Sequence, residues 1–281
     1  MNNLYRNITH RSELVLGSAV MEKLSRVSVI IFGVGGVGSW CAESLVRTGI
    51  NNLTIVDSDI ICPTNINRQV QATSLNIGKS KVDELGVRLR AINPEANITA
   101  LHAAYDETSF HEFDLGAYDY VIDAIDSLKN KLLLLERCVT AGVTVYSSMG
   151  AGARNDPARI RIDLISNTRN CPLARRVRKM LRDKNITADI LCVYSDELPV
   201  DPAAETLCGT GECACDYDRN NFNAGNDAGA VDWCGRKKRI NGSLVHITAI
   251  FGFMLAGLVI ENIADSIRIN KKSGKFNISP E

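Results

Sequence analysis

The feature that most constrains this chain is a glycine-rich turn, Gly33-Val-Gly35-Gly36-Val-Gly38, directly behind the apolar run of residues 27–33. An unbroken apolar run of that kind reads as a strand buried on both faces, the habit of parallel sheets. The glycines let the backbone turn tightly. They also bring its N–H groups toward phosphate, at the positive end of the helix expected over residues 37–47. The turn alone suits many dinucleotide-binding folds, so its meaning depends on the residues beyond it.

A second strand over 53–57 ends in Asp57, nineteen residues after Gly38, where an acid can hydrogen-bond ribose hydroxyls. The rhythm continues with a helix over 75–92 stopped by Asn93-Pro94, strands over 98–101 and 120–125, a helix over 129–141 and a strand over 143–147. After Gly150 it loosens into an alternating strand over 159–164, a basic amphipathic helix over 173–184 and a strand over 191–195. An aperiodic stretch over 196–242 and a long closing helix over 243–263 follow. Strands alternating with helices predict an α/β fold: a Rossmann-like, largely parallel sheet with helices on both faces, plus a C-terminal antiparallel strand, crossover region and closing helix. Residues 1–150 form the expected nucleotide-binding domain and 151–281 the substrate side, within one compact unit.

Asp57-Ser-Asp59 is followed by Thr64-Asn65-Ile-Asn67-Arg68-Gln69 and Gly78-Lys-Ser-Lys81. A redox domain holds its dinucleotide's phosphates on the glycine turn and has little use for an added Arg68 and Lys81. An enzyme that splits ATP does need them, to neutralise charge developing on the triphosphate. Asp126, just past the strand over 120–125, lies at the carboxyl edge where such sheets bind ligands and suits magnesium, which takes few protein ligands. Read singly, Arg68 and Lys81 are also ordinary surface charges, and Asp126 is also a helix cap. A dehydrogenase and a non-catalytic nucleotide sensor remain the rival classes.

The set Gly33-x-Gly35-Gly36-x-Gly38, Asp57-x-Asp59, Asn65-x-x-Arg68-Gln69, Lys81 and Asp126 resembles the ThiF/MoeB/HesA superfamily, relatives of the ubiquitin-activating enzymes. The resemblance implies ATP as substrate, Asp57 on the ribose, Arg68 and Lys81 on the phosphates and Asp126 on Mg2+. It also implies a homodimer in which Arg11, six residues before Gly17, reaches the partner's ATP site. Gly36-Val-Gly-Ser-Trp-Cys-Ala-Glu43, Val121-Ile-Asp-Ala-Ile-Asp-Ser127 and Cys192-Val-Tyr-Ser195 are similar to the branch that dehydrates threonylcarbamoyladenosine at position 37 of tRNA. That branch implies adenylation of the threonyl carboxylate, then ring closure with loss of AMP. The alternative within the superfamily adenylates the C-terminus of a ubiquitin-like sulfur carrier and implies a sulfur-relay protein as partner.

Sulfur-carrier activators usually hold zinc with two Cys-x-x-Cys pairs, and this sequence contains none. It carries instead Cys208-x4-Cys213-x-Cys215 and Cys234, four thiols that could bind Zn2+, stay free, or enter redox chemistry. Nine cysteines without an apolar leader in residues 1–11 predict a reducing, cytoplasmic setting. The apolar segment 247–260 reads as a core helix rather than a membrane span. Formal net charge is zero, so a polynucleotide partner requires a local patch. Arg175, Arg178, Lys179 and Arg182 share a helical face that could meet tRNA phosphates; Arg236-Lys-Lys-Arg239 is a second cluster. Cys192 reads as a small buried hydrophobe on a strand or a residue near the active site.

Overall fold

A computed structural model describes residues 3–203 and 241–273 of the chain. The four cysteines considered for zinc (Cys208, Cys213, Cys215 and Cys234) and the cluster Arg236–Arg239 lie outside the described residues. Seven strands form one sheet in the order β3-β2-β1-β4-β5-β7-β6. They are β1 (Ser28–Phe32), β2 (Asn52–Val56), β3 (Asn97–Leu101), β4 (Tyr120–Asp123), β5 (Thr144–Ser148), β6 (Ile160–Leu164) and β7 (Leu191–Ser195). All neighbours pair in parallel except β6 and β7, which are antiparallel. The expected alternating strand is therefore the edge that closes an otherwise parallel sheet.

Both faces of the sheet are covered, which explains the unbroken apolar run. In β1, Val29 and Ile31 enter one core cluster and Ile30 and Phe32 the other, as alternating side chains must. The first cluster is built under α2 (Ser18–Leu24), α3 (Gly38–Thr48), α4 (Lys81–Ile92) and α7 (Val245–Ser273). The second lies under α5 (Leu128–Ala141) and α6 (Pro172–Asp183). The N-terminal helix α1 (Asn3–Leu16) is tied to the far end of α3, where Tyr5 OH donates to Gly49 O at 2.9 Å.

Two helix boundaries differ from expectation. The apolar pattern from residue 75 predicts a helix there, but α4 begins only at Lys81, because Ser80 caps it by accepting from Asp83 N–H and Gly78 stands at φ +85°. The start matters, since it makes Lys81 the first helical residue. The closing helix α7 runs on to Ser273, well past the apolar segment. Its polar end continues with an Arg268–Asp265 pair at 3.1 Å. Length and hydropathy would let α7 cross a membrane, yet Ile247, Phe251, Leu255, Val259 and Ile263 are buried in the first core, as the core-helix reading expects. Gly252 is the close-approach point: a Cβ there would sit 2.5 Å from Val37 O and 2.8 Å from Cys41 N.

Between β4 and β5 lies a fully buried ion pair, Asp123–Lys131, at 2.6 Å with both side chains 0% exposed. The Asp123 carboxylate also accepts from Ser147 Oγ at 2.6 Å and from Ile125 N–H at 3.1 Å. Lys131 Nζ gives a second hydrogen bond, to Ser148 O at 2.9 Å. Removing one partner strands a charge in the core. Lys131→Met should therefore destabilise the protein by about 3–5 kcal/mol in urea denaturation, and adding Asp123→Asn should recover part of that loss.

Candidate functional site

The strand order reverses at β1 and β4, and the carboxyl ends of those two strands open the crevice where open α/β sheets bind ligands. The glycine turn fills that place for steric reasons visible residue by residue. Gly33 sits at φ +86°, and a Cβ on it would meet Ala124 O, at the exit of β4, at 2.7 Å. Gly38 opens α3, and a Cβ there would lie 1.9 Å from Gly33 O. The two positions leave no room for a side chain, so the turn wraps on itself at the start of α3, a helix N-terminus of the kind that receives phosphate. Gly36 backs onto the stem of Arg68, with its ideal Cβ 3.2 Å from Cγ and 3.3 Å from Thr248 Cβ on α7. Gly35 borders Gln69.

Asp57 follows β2 and ties the turn to the next loop. Its carboxylate accepts from Val34 N–H and from Asp59 N–H, both at 2.8 Å. Asp59 in turn pairs with Lys81 at 2.6 Å, the lysine 7% exposed and the acid 41%. Burial pushes the Asp57 carboxyl above its ordinary range, while the nearby Lys81 ammonium pulls it back. Arg68 is held by its neighbours: Nη1 donates to Thr64 O at 2.8 Å and Asn67 Oδ1 at 2.9 Å. Asn65, buried beneath, accepts from Cys62 N–H at 3.0 Å through its side chain. Burial holds the Arg68 pKa below its ordinary value, offset in part by Cys62 and Asp126, and the stem of Arg68 lies against Gly36 of the glycine turn. Asp126 itself is exposed in the loop between β4 and α5.

The residues expected at the site, Gly33, Gly35, Gly36, Gly38, Asp57, Asp59, Asn65, Arg68, Lys81 and Asp126, thus converge on one edge of the sheet. Arg11 does not join them within the chain; it is exposed on α1. Arg178 differs from the rest of its basic face, because its Nη1 donates to Thr168 O at 2.9 Å and Thr168 Oγ1 at 2.8 Å. Arg175, Lys179 and Arg182 remain exposed. Cys192 is fully buried on β7, opposite Ser147 in register. Burial raises its thiol pKa well above the usual value, which favours the buried-strand reading of this residue. Among the described residues no group of three or more His, Cys, Asp or Glu is arranged to hold a metal.

Several supporting residues had no distinct signal in the sequence. Gln71 Nε2 donates to Val34 O at 2.9 Å and Trp40 Nε1 to Arg68 O at 3.0 Å, each bracing the turn from a different element. Gln69 and Gln71 also carry buried side-chain oxygens without a partner. Asp123 and Asp126 look equivalent in sequence, three residues apart. The apolar strand context of Asp123 is the signal that separates the buried acid from the exposed one.

A glycine turn closed on its own strand and ringed by a carboxylate, a lysine and an arginine defines a nucleotide-binding α/β protein. The chain belongs to the ThiF family, whose model matches residues 6–279. It is 40% identical over 190 residues to the tRNA threonylcarbamoyladenosine dehydratase of Bacillus subtilis, covering 68% of this chain and 75% of that protein. The Haemophilus influenzae protein of the same name is 34% identical over 250 residues, covering 86% and 88%. The molybdopterin-synthase adenylyltransferase of Haemophilus influenzae is more distant, at 29% over 161 residues, covering 57% and 64%. Among solved structures, Escherichia coli tRNA N6-threonylcarbamoyladenosine dehydratase, TcdA, in complex with ATP superposes with a TM-score of 0.79 at 27% identity, covering 95% of this chain and 98% of that one.

The tight glycine contact gives a direct test. Gly38→Ala should destabilise the protein by at least about 3 kcal/mol, as backbone must shift to clear Gly33 O; a thermal or urea midpoint within error of the unaltered protein would contradict this geometry.

Proposed function

We propose that this protein is an ATP-dependent tRNA threonylcarbamoyladenosine dehydratase. On this reading it adenylates the threonyl carboxylate of the modified adenosine at position 37 of tRNA and closes the ring with loss of AMP. The observation that carries the reading is the convergence of Arg68, Lys81 and Asp126 on the glycine turn, in a chain 34–40% identical to proteins of that name over most of its length. In the first step a carboxylate oxygen attacks the α-phosphorus and pyrophosphate leaves. In the second, the modified nucleoside's own carbamoyl group attacks the activated carbonyl and AMP departs with the carboxylate oxygen, for a net loss of water. The attacking atom belongs to the substrate, so no cysteine nucleophile is required.

Each residue then has a defined task. The turn amides and the start of α3 hold phosphate oxygens, and Asp57 meets the ribose. Arg68 and Lys81 offset charge developing on the leaving pyrophosphate, and Lys81 exchanges its Asp59 partner for phosphate. A magnesium ion held by Asp126 would supply further charge neutralisation; one exposed carboxylate fits an ion that keeps phosphate oxygens and water as its other ligands. Residues 151–281 supply the substrate side, with Arg175, Lys179 and Arg182 of α6 meeting tRNA phosphates. Arg11 is exposed on α1 beside Leu14 and Val15, which are 66% and 80% exposed. Such a face suits a homodimer in which Arg11 reaches the partner's nucleotide. Four buried thiols, Cys41, Cys138, Cys171 and Cys192, suit a cytoplasmic setting.

AMP release from ATP and magnesium should occur with tRNA bearing threonylcarbamoyladenosine and not with tRNA lacking it, with the nucleoside losing the mass of one water. Pyrophosphate exchange driven instead by a ubiquitin-like protein would move the enzyme to the sulfur-carrier class. Asp126→Ala should abolish turnover with an unchanged melting temperature; near-full turnover would remove magnesium from that carboxylate. Reversing charge with Arg175→Glu and Lys179→Glu should raise KM for tRNA about tenfold and flatten its salt dependence, while KM for ATP stays put.

A further inference from the structure

Arg154 lies in the loop that follows β5, and it is only 4% exposed. Its Nε and Nη1 have no hydrogen-bond partner, and among the described residues no carboxylate pairs with it. Nη2 makes its one bond, to Asn170 O at 3.3 Å. Asn170 directly precedes Cys171, the N-cap of the twelve-residue helix α6, whose side chain makes no capping bond and whose first helical residue is Pro172. The buried guanidinium is therefore aimed at an uncapped helix N-terminus. Two positive ends facing one another are unfavourable on their own. An oxyanion between them would satisfy both.

The backbone is left-handed on both segments of this contact. Ala153 at φ +57° and Asn170 at φ +54° are two of the three non-glycine residues in the left-handed region among those described, and they flank the two sides of the Arg154–Asn170 contact. Strain of this kind persists where surrounding structure enforces it, and it gathers at ligand sites. The α6 N-terminus also abuts Gly150 at the exit of β5, where an ideal Cβ would lie 3.7 Å from both Cys171 Sγ and Leu173 Cβ. A short bridge joins this place to the glycine turn. Ala153 N–H donates to Gly242 O at 2.8 Å, Asn67 Nδ2 donates to Ser243 O at 2.9 Å, and Thr248 of the same segment backs Gly36.

We infer that Arg154 and the N-terminus of α6 form the site that holds the carboxylate of the substrate before it is adenylated, a role that rests on the dehydratase reading. Of the two oxyanions present in that reaction, the triphosphate already has the glycine turn, Arg68 and Lys81. The exit of β5 lies two strands from the turn, about 10 Å away, on the side toward α6 and its exposed Arg175 and Lys179. One carboxylate oxygen rests on Arg154 and the α6 amides. The other remains free to attack the α-phosphorus, and pyrophosphate leaves as that bond forms.

The test uses the full chain with a non-hydrolysable ATP analogue, titrated with threonylcarbamoyladenosine nucleoside and with its carboxyl methyl ester. The unaltered protein should bind the acid about 10- to 100-fold tighter than the ester, the range of a charge-assisted bond. Arg154→Gln should erase that preference, Arg154→Lys should keep part of it, and the Kd for ATP should stay within about twofold of the unaltered value in both. Relieved of an unpaired buried cation, Arg154→Gln should melt no lower than the unaltered protein. A surviving acid preference in Arg154→Gln overturns the proposal, as does its absence in the unaltered protein. A tenfold loss of ATP affinity assigns Arg154 to nucleotide phosphate instead, and a lowered melting temperature that Arg154→Lys does not restore assigns it to structure. AMP release by the unaltered enzyme with modified tRNA reports separately on the reaction, so a failure here leaves that result standing.

Discussion

The buried Asp123–Lys131 pair is the constraint on which the site's frame depends. One carboxylate gathers an ammonium, the Ser147 hydroxyl and the Ile125 amide, and so fixes how the chain leaves β4. That exit sets Ala124 against Gly33 and sends Asp126 outward beside Arg68. Burying two charges is expensive unless every remaining donor and acceptor finds a partner. Lys131 gains a second acceptor in Ser148 O, which draws the end of β5 into the same arrangement. The switch point of the sheet is thus pinned by charge rather than by apolar packing alone.

From this frame the rest of the site follows as a chain of short bonds. Val34 reaches Asp57, Asp57 reaches Asp59, and Asp59 reaches Lys81 at the first turn of α4. The lysine is presented by a helix that starts where Ser80 caps it. Three separate stretches of sequence are therefore tied together around the nucleotide position.

The fold was legible because its signals are local. The apolar run and glycine turn marked β1 and α3, and the acid nineteen residues later marked the end of β2. Even the antiparallel edge was visible in the alternation of Ile160–Leu164. The start of α4 was not, since an apolar pattern from residue 75 outweighed the Ser80 cap and Gly78. Long-range facts were also hidden. Arg178 reads like its basic neighbours and is instead bound to Thr168. Arg154 has no apolar strand context of the kind that marks Asp123, and only tertiary packing decides that it is buried. The cysteines Cys208, Cys213, Cys215 and Cys234 fall outside the described residues.

The contact of Gly252 with Val37 O and Cys41 N joins α7 to the glycine turn more than two hundred residues before it. A ribosome releases the glycine turn long before α7, whose first residue is Val245. Until α7 arrives, α3 lacks the neighbour that covers its first turn, and non-local closure of this sort is slow to form. The pairing of β1 to β5 does not itself involve α7, whereas the cover over the start of α3 does. Competence to take up its nucleotide thus waits on α7, and loss of that helix would be felt at the glycine turn.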